Sequence, residues 1–207
     1  MSDYRLARLR RHAVVFSFLV GTLGAIPGSA LLGDDEYSPV SAAQAKRFER
    51  AGVSYELYEL FGHCSIEITR PVDDDILDQI LGLSGLRFLT LSAGLSPSQW
   101  TRLRRFDGTL SLTLKGDIWS DRSLVQIASL PNVEELVLEK CSILGTGFVH
   151  LAHMEGLTEL CITDCPIEDD NVHFLRRKAH LERLTLVSCP ITGEGLSHPE
   201  VEYLFWA

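Results

Sequence analysis

Positive charge is scarce in this chain: 19 Lys and Arg stand against 28 Asp and Glu in 207 residues, a formal charge of -9. That deficit excludes a nucleic-acid backbone as natural partner, because holding phosphates takes a basic surface. No Gly-rich phosphate loop and no Ser/His/Asp elbow is present, so no cofactor and no catalysis are expected. The composition, 45% hydrophobic and 23% charged, is that of a folded protein, and the length suits one domain. What is abundant is Leu, with 33 copies, about twice an ordinary share.

Part of that excess lies near the start. Residues 1–12 carry Arg5, Arg8, Arg10 and Arg11 opposed only by Asp3, and Ala13 to Leu32 then runs for twenty residues without a charge. Such a stretch can span a bilayer core of roughly 30 Å as a helix, and basic residues hold its leading end in the cytoplasm. A second reading is a cleaved signal peptide, since Pro27-Gly28 interrupts the apolar run and Gly28-Ser29-Ala30 has the small-x-small form of a cleavage site. Either way the rest of the chain is expected outside the cytoplasm. Without residues 1–32 it keeps 15 basic and 27 acidic groups, a charge of -12.

The remaining Leu residues recur in phase. Val133-x-x-Leu136-x-Leu138-x-x-Cys141-x-Ile143 is followed 24 residues later by Leu157-x-x-Leu160-x-Ile162-x-x-Cys165-x-Ile167, and 24 later by Leu181-x-x-Leu184-x-Leu186-x-x-Cys189-x-Ile191. Leu112 and Leu114, Leu89 and Leu91, and Ile66 and Ile68 extend the pattern backwards, while Val201-x-x-Leu204 opens a truncated last copy. This spacing is the leucine-rich-repeat signature, one short strand and one helical return per unit. The L-x-L pair turns both Leu inward and the residue between them outward. The returns carry helix-spaced apolar residues: Trp100 with Leu103, Leu124 with Ile127 and Leu130, Phe148 with Leu151, Val172 with Leu175. No unit can bury its Leu set alone, so neighbours must stack.

The expected architecture is therefore an α/β solenoid over residues 64–207, six repeats and a partial one, with parallel strands on a concave face and helical returns on the convex one. A linker over 33–38 and an N-terminal cap over 39–63 precede it, the cap holding a short helix from Ser41 to Ala51 and a strand from Val53. With Ile143-Leu-Gly-Thr-Gly-Phe-Val-His-Leu151 and Ile191-Thr-Gly-Glu-Gly-Leu196 in its returns, the chain resembles bacterial membrane-anchored leucine-rich-repeat proteins of the cysteine-containing, ribonuclease-inhibitor-like subtype. The earlier copies depart from that pattern, with Gly94 and Asp117 where the later ones have Cys.

Five cysteines in an exported chain suggest disulfides, but Cys141, Cys165 and Cys189 recur at the repeat step, where parallel side-chain directions fit a bridge poorly. They read as buried free thiols, each offering a weak hydrogen bond to the adjacent loop backbone. Cys161 differs, because it takes an outward strand position and reads as an accessible thiol. No His falls near it to serve as base. His150-x-x-His153 lacks a third metal ligand. Asp73-Asp74-Asp75 and Glu168-Asp169-Asp170 open returning helices, where carboxylates cap exposed N–H groups.

The candidate site is the concave face. Its outward positions are Glu67, Thr90, Thr113, Val137, Cys161, Thr185 and Phe205, flanked by Phe88, Lys115, Glu135, Glu139, Glu159, Thr163 and Arg183. Glu135, Glu139 and Glu159 form a carboxylate cluster that favours a basic protein partner. The expected function is a tethered, non-catalytic protein-interaction module. The alternatives are an envelope enzyme or accessory factor using the Cys161 thiol, and a structural envelope protein assembling through the Trp206 end.

Overall fold

Ser41 opens the first described helix by closing a capping box with Gln44, whose backbone N–H it accepts while the Gln44 side chain bonds back to its N–H at 3.0 Å. The helix α1 that follows (Ala42–Ala51) buries Phe48 and ends at Gly52, where φ of 74° turns the chain straight into strand β1 (Val53–Tyr58). The computed structural model describes residues 39–58, 62–177, 180–192 and 204–206. The basic tip, the anchor or signal over 13–32 and the linker expected from sequence lie outside these residues. Among the described residues, no helix is long and apolar enough to cross a membrane.

β1 pairs antiparallel with β2 (His63–Ile68), and from there every strand joins its predecessor in parallel: β3 (Leu86–Leu91), β4 (Leu110–Lys115), β5 (Val133–Glu139), β6 (Glu159–Thr163), β7 (Arg183–Val187) and β8 (Leu204–Trp206). The register follows the Leu phase. Ile66, Leu89, Leu112, Leu136, Leu160, Leu184 and Leu204 lie side by side across seven strands. Parallel neighbours require a crossover, and the segments between them supply it as α2 (Asp74–Leu81), α3 (Pro97–Leu103), α4 (Asp121–Ile127), α5 (Phe148–Leu151) and α6 (Asp169–Val172) with a 3-10 turn (His173–Arg177). This is an α/β, leucine-rich-repeat-like arrangement.

The core lies between sheet and returns. Leu89, Leu91, Leu112, Leu114, Leu136 and Leu138 are wholly buried, as are Leu124, Ile127 and Phe148 from the returns. Each such side chain contributes about 1.5–3 kcal/mol of transfer free energy, so stacking of units, not any single unit, carries the fold.

At the end of each strand a carbonyl must find a donor where the chain leaves the sheet. In the later turns a thiol supplies it: Cys141 Sγ donates to Leu114 O at 3.3 Å, Cys165 Sγ to Leu138 O at 3.6 Å, and Cys189 Sγ to Ile162 O at 3.7 Å. Each thiol also lies 3.4–3.5 Å from the last carbonyl of its own strand, Glu139 O, Thr163 O and Val187 O, and Cys165 Sγ accepts the Cys141 N–H of the neighbouring turn at 3.4 Å, so the backbone bonds expected from sequence are joined by one to the preceding strand. Where Asp117 replaces Cys, the Trp119 indole N–H reaches Leu91 O at 2.9 Å, and one turn earlier Ser92 N–H bonds Ile68 O. All five cysteines are free thiols, including Cys64, which is buried in β2.

A second device ties the returns together. The Asp121 carboxylate accepts backbone N–H bonds from Leu144, Gly145 and Gly147 of the next turn at 2.7–3.0 Å. Asp169 likewise accepts from Thr192 N–H at 2.9 Å. The acidic clusters thus divide. Asp73 caps its own helix through Ile76 N–H, as the sequence implied, whereas Asp169 reaches across to the following turn and leaves α6 without a side-chain cap.

Candidate interaction surface

Period-two alternation sends one set of side chains from each strand to the face away from the helices. Register aligns them into three rows. One runs Ser65, Phe88, Ser111, Glu135, Glu159, Arg183; the middle row runs Glu67, Thr90, Thr113, Val137, Cys161, Thr185; the third holds Lys115, Glu139, Thr163 and Val187. The structure therefore brings together on one face all eleven residues singled out there: Thr90, Thr113, Lys115, Glu135, Val137, Glu139, Glu159, Cys161, Thr163, Arg183 and Thr185. Phe205 is level with Thr185 in β8.

Two of these residues are not open. Cys161 is 4% exposed and Thr163 8%. The accessible thiol expected at Cys161 is thereby corrected. Its neighbours on the face, Val137 and Thr185 on the adjacent strands and Glu159 and Thr163 on its own, all carry bulkier side chains. Burial pushes this thiol up to about 11, away from the thiolate a nucleophile needs. Its nearest polar partner is Thr163 Oγ1 at 3.9 Å.

The carboxylate cluster is partly compensated from within. Glu159 pairs with Arg183, and Glu139 lies 3.7 Å from Lys115 Nζ and 4.0 Å from Lys140 Nζ. Glu135 has no cation among the described residues. It accepts the Ser111 hydroxyl at 2.6 Å. Burial raises the Glu159 carboxyl above the ordinary carboxylate range, with Arg183 opposing that shift and Glu135 adding to it.

At the β1 end the face turns aromatic. Tyr58 meets Phe88 edge to face, ring centroids 5.8 Å apart, and donates its hydroxyl to Glu56 at 3.0 Å. The sequence reading missed Tyr58, because an antiparallel first strand falls outside the repeat phase. On the helical side a shallow cleft of about 490 Å³ is lined by Trp100, Ile118, Trp119 and Arg122. It also lay outside the strand pattern that sequence made visible. His150 and His153 are both exposed, and no three His, Cys, Asp or Glu side chains converge for a metal ion among the described residues.

No family model and no curated protein matches the chain. Among solved structures, internalin C2 from Listeria monocytogenes is similar at 18% identity with a TM-score of 0.42, covering 62% of this chain and 55% of that one. The leucine-rich-repeat-like fold rests here on the strand register and the buried Leu phase of the chain itself.

Proposed function

We propose that the chain is a non-catalytic protein-interaction module that binds another protein through its concave strand face and is displayed outside the cytoplasm on an N-terminal anchor. The observation that carries the binding part is the outer strand face, six strands wide, with side chains held in three registered rows. Such a surface matches an extended protein partner better than a small molecule, which seeks an enclosed, mostly apolar pocket. The display rests on the Arg-rich tip and the twenty uncharged residues after it.

The test places a photo-crosslinker at Thr113, central on the face, or at Val125, which is 46% exposed on α4. A partner captured in native membranes from Thr113 and not from Val125, and lost in Glu135→Lys with Glu159→Lys, is expected. A partner that survives the charge reversal sinks the assignment. The thiol alternative has lost its accessible sulfur. A structural role through β8, the last strand in the order, predicts oligomers by light scattering that dissociate when Phe205 and Trp206 become Ser.

A further inference from the structure

Of the three central carboxylates on the strand face, Glu135 alone has no cation, and this singles out a place for one from outside. The Ser111 hydroxyl bonds Glu135 Oε2, which orients the carboxylate, while Oε1 has no hydrogen-bond donor among the described residues. Ser111 is itself 5% exposed, so the bond that fixes the half-buried Glu135 has a buried donor.

The row that holds Glu135 supplies a second recognition element. Phe88, Ser111 and Glu135 are register partners on three consecutive strands. The aromatic ring and the carboxylate therefore rise from backbones about 9.6 Å apart, two strand spacings, with a small side chain between them. Phe88 is braced by Tyr58, at an interplanar angle of 63°. A planar cation suits this spacing: a guanidinium can lie within about 6 Å of a ring centroid and still direct its N–H fork at a carboxylate, whereas an ammonium is a compact, strongly hydrated point charge. The sign of the face agrees. Glu56, Glu67, Glu135, Glu139 and Glu159 point outward against Lys115 and Arg183.

We propose that Phe88 and Glu135, with Ser111 between them, form a subsite for an arginine side chain of the partner protein, the guanidinium stacking on Phe88 and donating to Glu135 Oε1. This rests on the reading of the strand face as a protein-binding surface and names the chemistry it selects.

The probe is blocked arginine, N-acetyl-arginine methylamide, titrated into the full chain in detergent while NMR follows Phe88, Ser111 and Glu135. Saturable shifts confined to that row are expected. The citrulline analogue, equal in shape without the charge, should bind about tenfold or more weakly, since charge-assisted bonds are roughly twice as strong as neutral ones and the cation–π attraction also vanishes. Glu135→Gln should shrink the difference between the two probes to what the Phe88 ring alone supplies, Phe88→Leu should weaken arginine binding several-fold, and Asp170→Asn, a control carboxylate exposed on α6, should change nothing. Absence of saturable shifts, equal response to citrulline, or indifference to Glu135→Gln overturns the proposal. Because the probe reports on the subsite without the partner, such a result leaves the crosslinking comparison of Thr113 with Val125 to decide the broader reading.

Discussion

The turns from β2 to β4 and those from β5 to β7 build one continuous core by different means. The earlier turns return through α2, α3 and α4, seven or eight residues long, and two of these open with a side-chain cap, Asp73 and Ser96. The later ones return through four-residue helices entered without a side-chain cap. They use thiols at the strand ends where the earlier turns use an indole and a backbone amide. The difference teaches that the repeat fixes where a donor must stand and leaves open which chemical group supplies it.

The largest expected contrast is at those strand ends. Trp119→Ala should cost about 3–5 kcal/mol, because a large buried ring leaves together with the donor to Leu91 O. Cys165→Ala should cost only about 1–2 kcal/mol, one sulfur with its weak bonds to Leu138 O and from Cys141 N–H. Urea denaturation of both variants measures this, and equal losses would show that the two halves are energetically alike.

The sequence made the later half legible for the same reason. Three copies in strict 24-residue register announce strands, inward Leu pairs and inward thiols, and the structure places them so. The earlier half was legible in its Leu phase, its helix-spaced returns and its Asp73 cap but not at its strand ends, because Trp119 does the work of a cysteine two positions further along the chain, and no pattern of identical residues can reveal an equivalence of function. Asp121 was invisible for a related reason: its three partners are backbone amides 23 to 26 residues away, and amides leave no mark in a sequence. On the outer face, rows followed from period two, but the burial of Cys161 depended on the size of neighbours across strands.

Asp121 gives the next contrast. Asp121→Ala should cost about 2–3 kcal/mol, since three amides lose a charged acceptor, against about 1 kcal/mol for Asp73→Ala, which loses one helix cap. Thermal unfolding followed by circular dichroism tests the order, and a reversal would remove Asp121 as the tie between turns.

Thiol ionisation compares Cys64 in the first half with Cys161 in the second. Burial pushes both up to about 11. An unfolded thiol releases its proton near pH 8.5, so above that value the folded chain retains a proton that the unfolded chain has lost, and stability falls as pH rises towards about 11. Denaturation midpoints across this window should decline, and Cys64→Val or Cys161→Val should each flatten the decline. A flat profile in the unaltered chain would contradict the burial of both.

The smallest contrast is in backbone strain. The first residue after β4 is Gly116, at φ of 101°, while Lys140, Asp164 and Ser188 hold the same left-handed place after β5, β6 and β7 at φ of 52–54°. Gly116→Ser should cost about 1 kcal/mol, with no steric neighbour to blame, and Ser188→Gly should gain about 0.5 kcal/mol. Opposite signs in chemical denaturation are the check.

The constant offset between each thiol and the carbonyl it serves has a consequence for the length of the molecule. Excising residues 141–164 would bring Cys165 opposite Leu114 O, the place Cys141 holds now, and Leu184 beside Leu136 in the sheet. One whole turn can therefore be removed, or by the same logic duplicated, without orphaning a strand-end carbonyl. In the later half, chain length is a quantised variable whose unit is 24 residues.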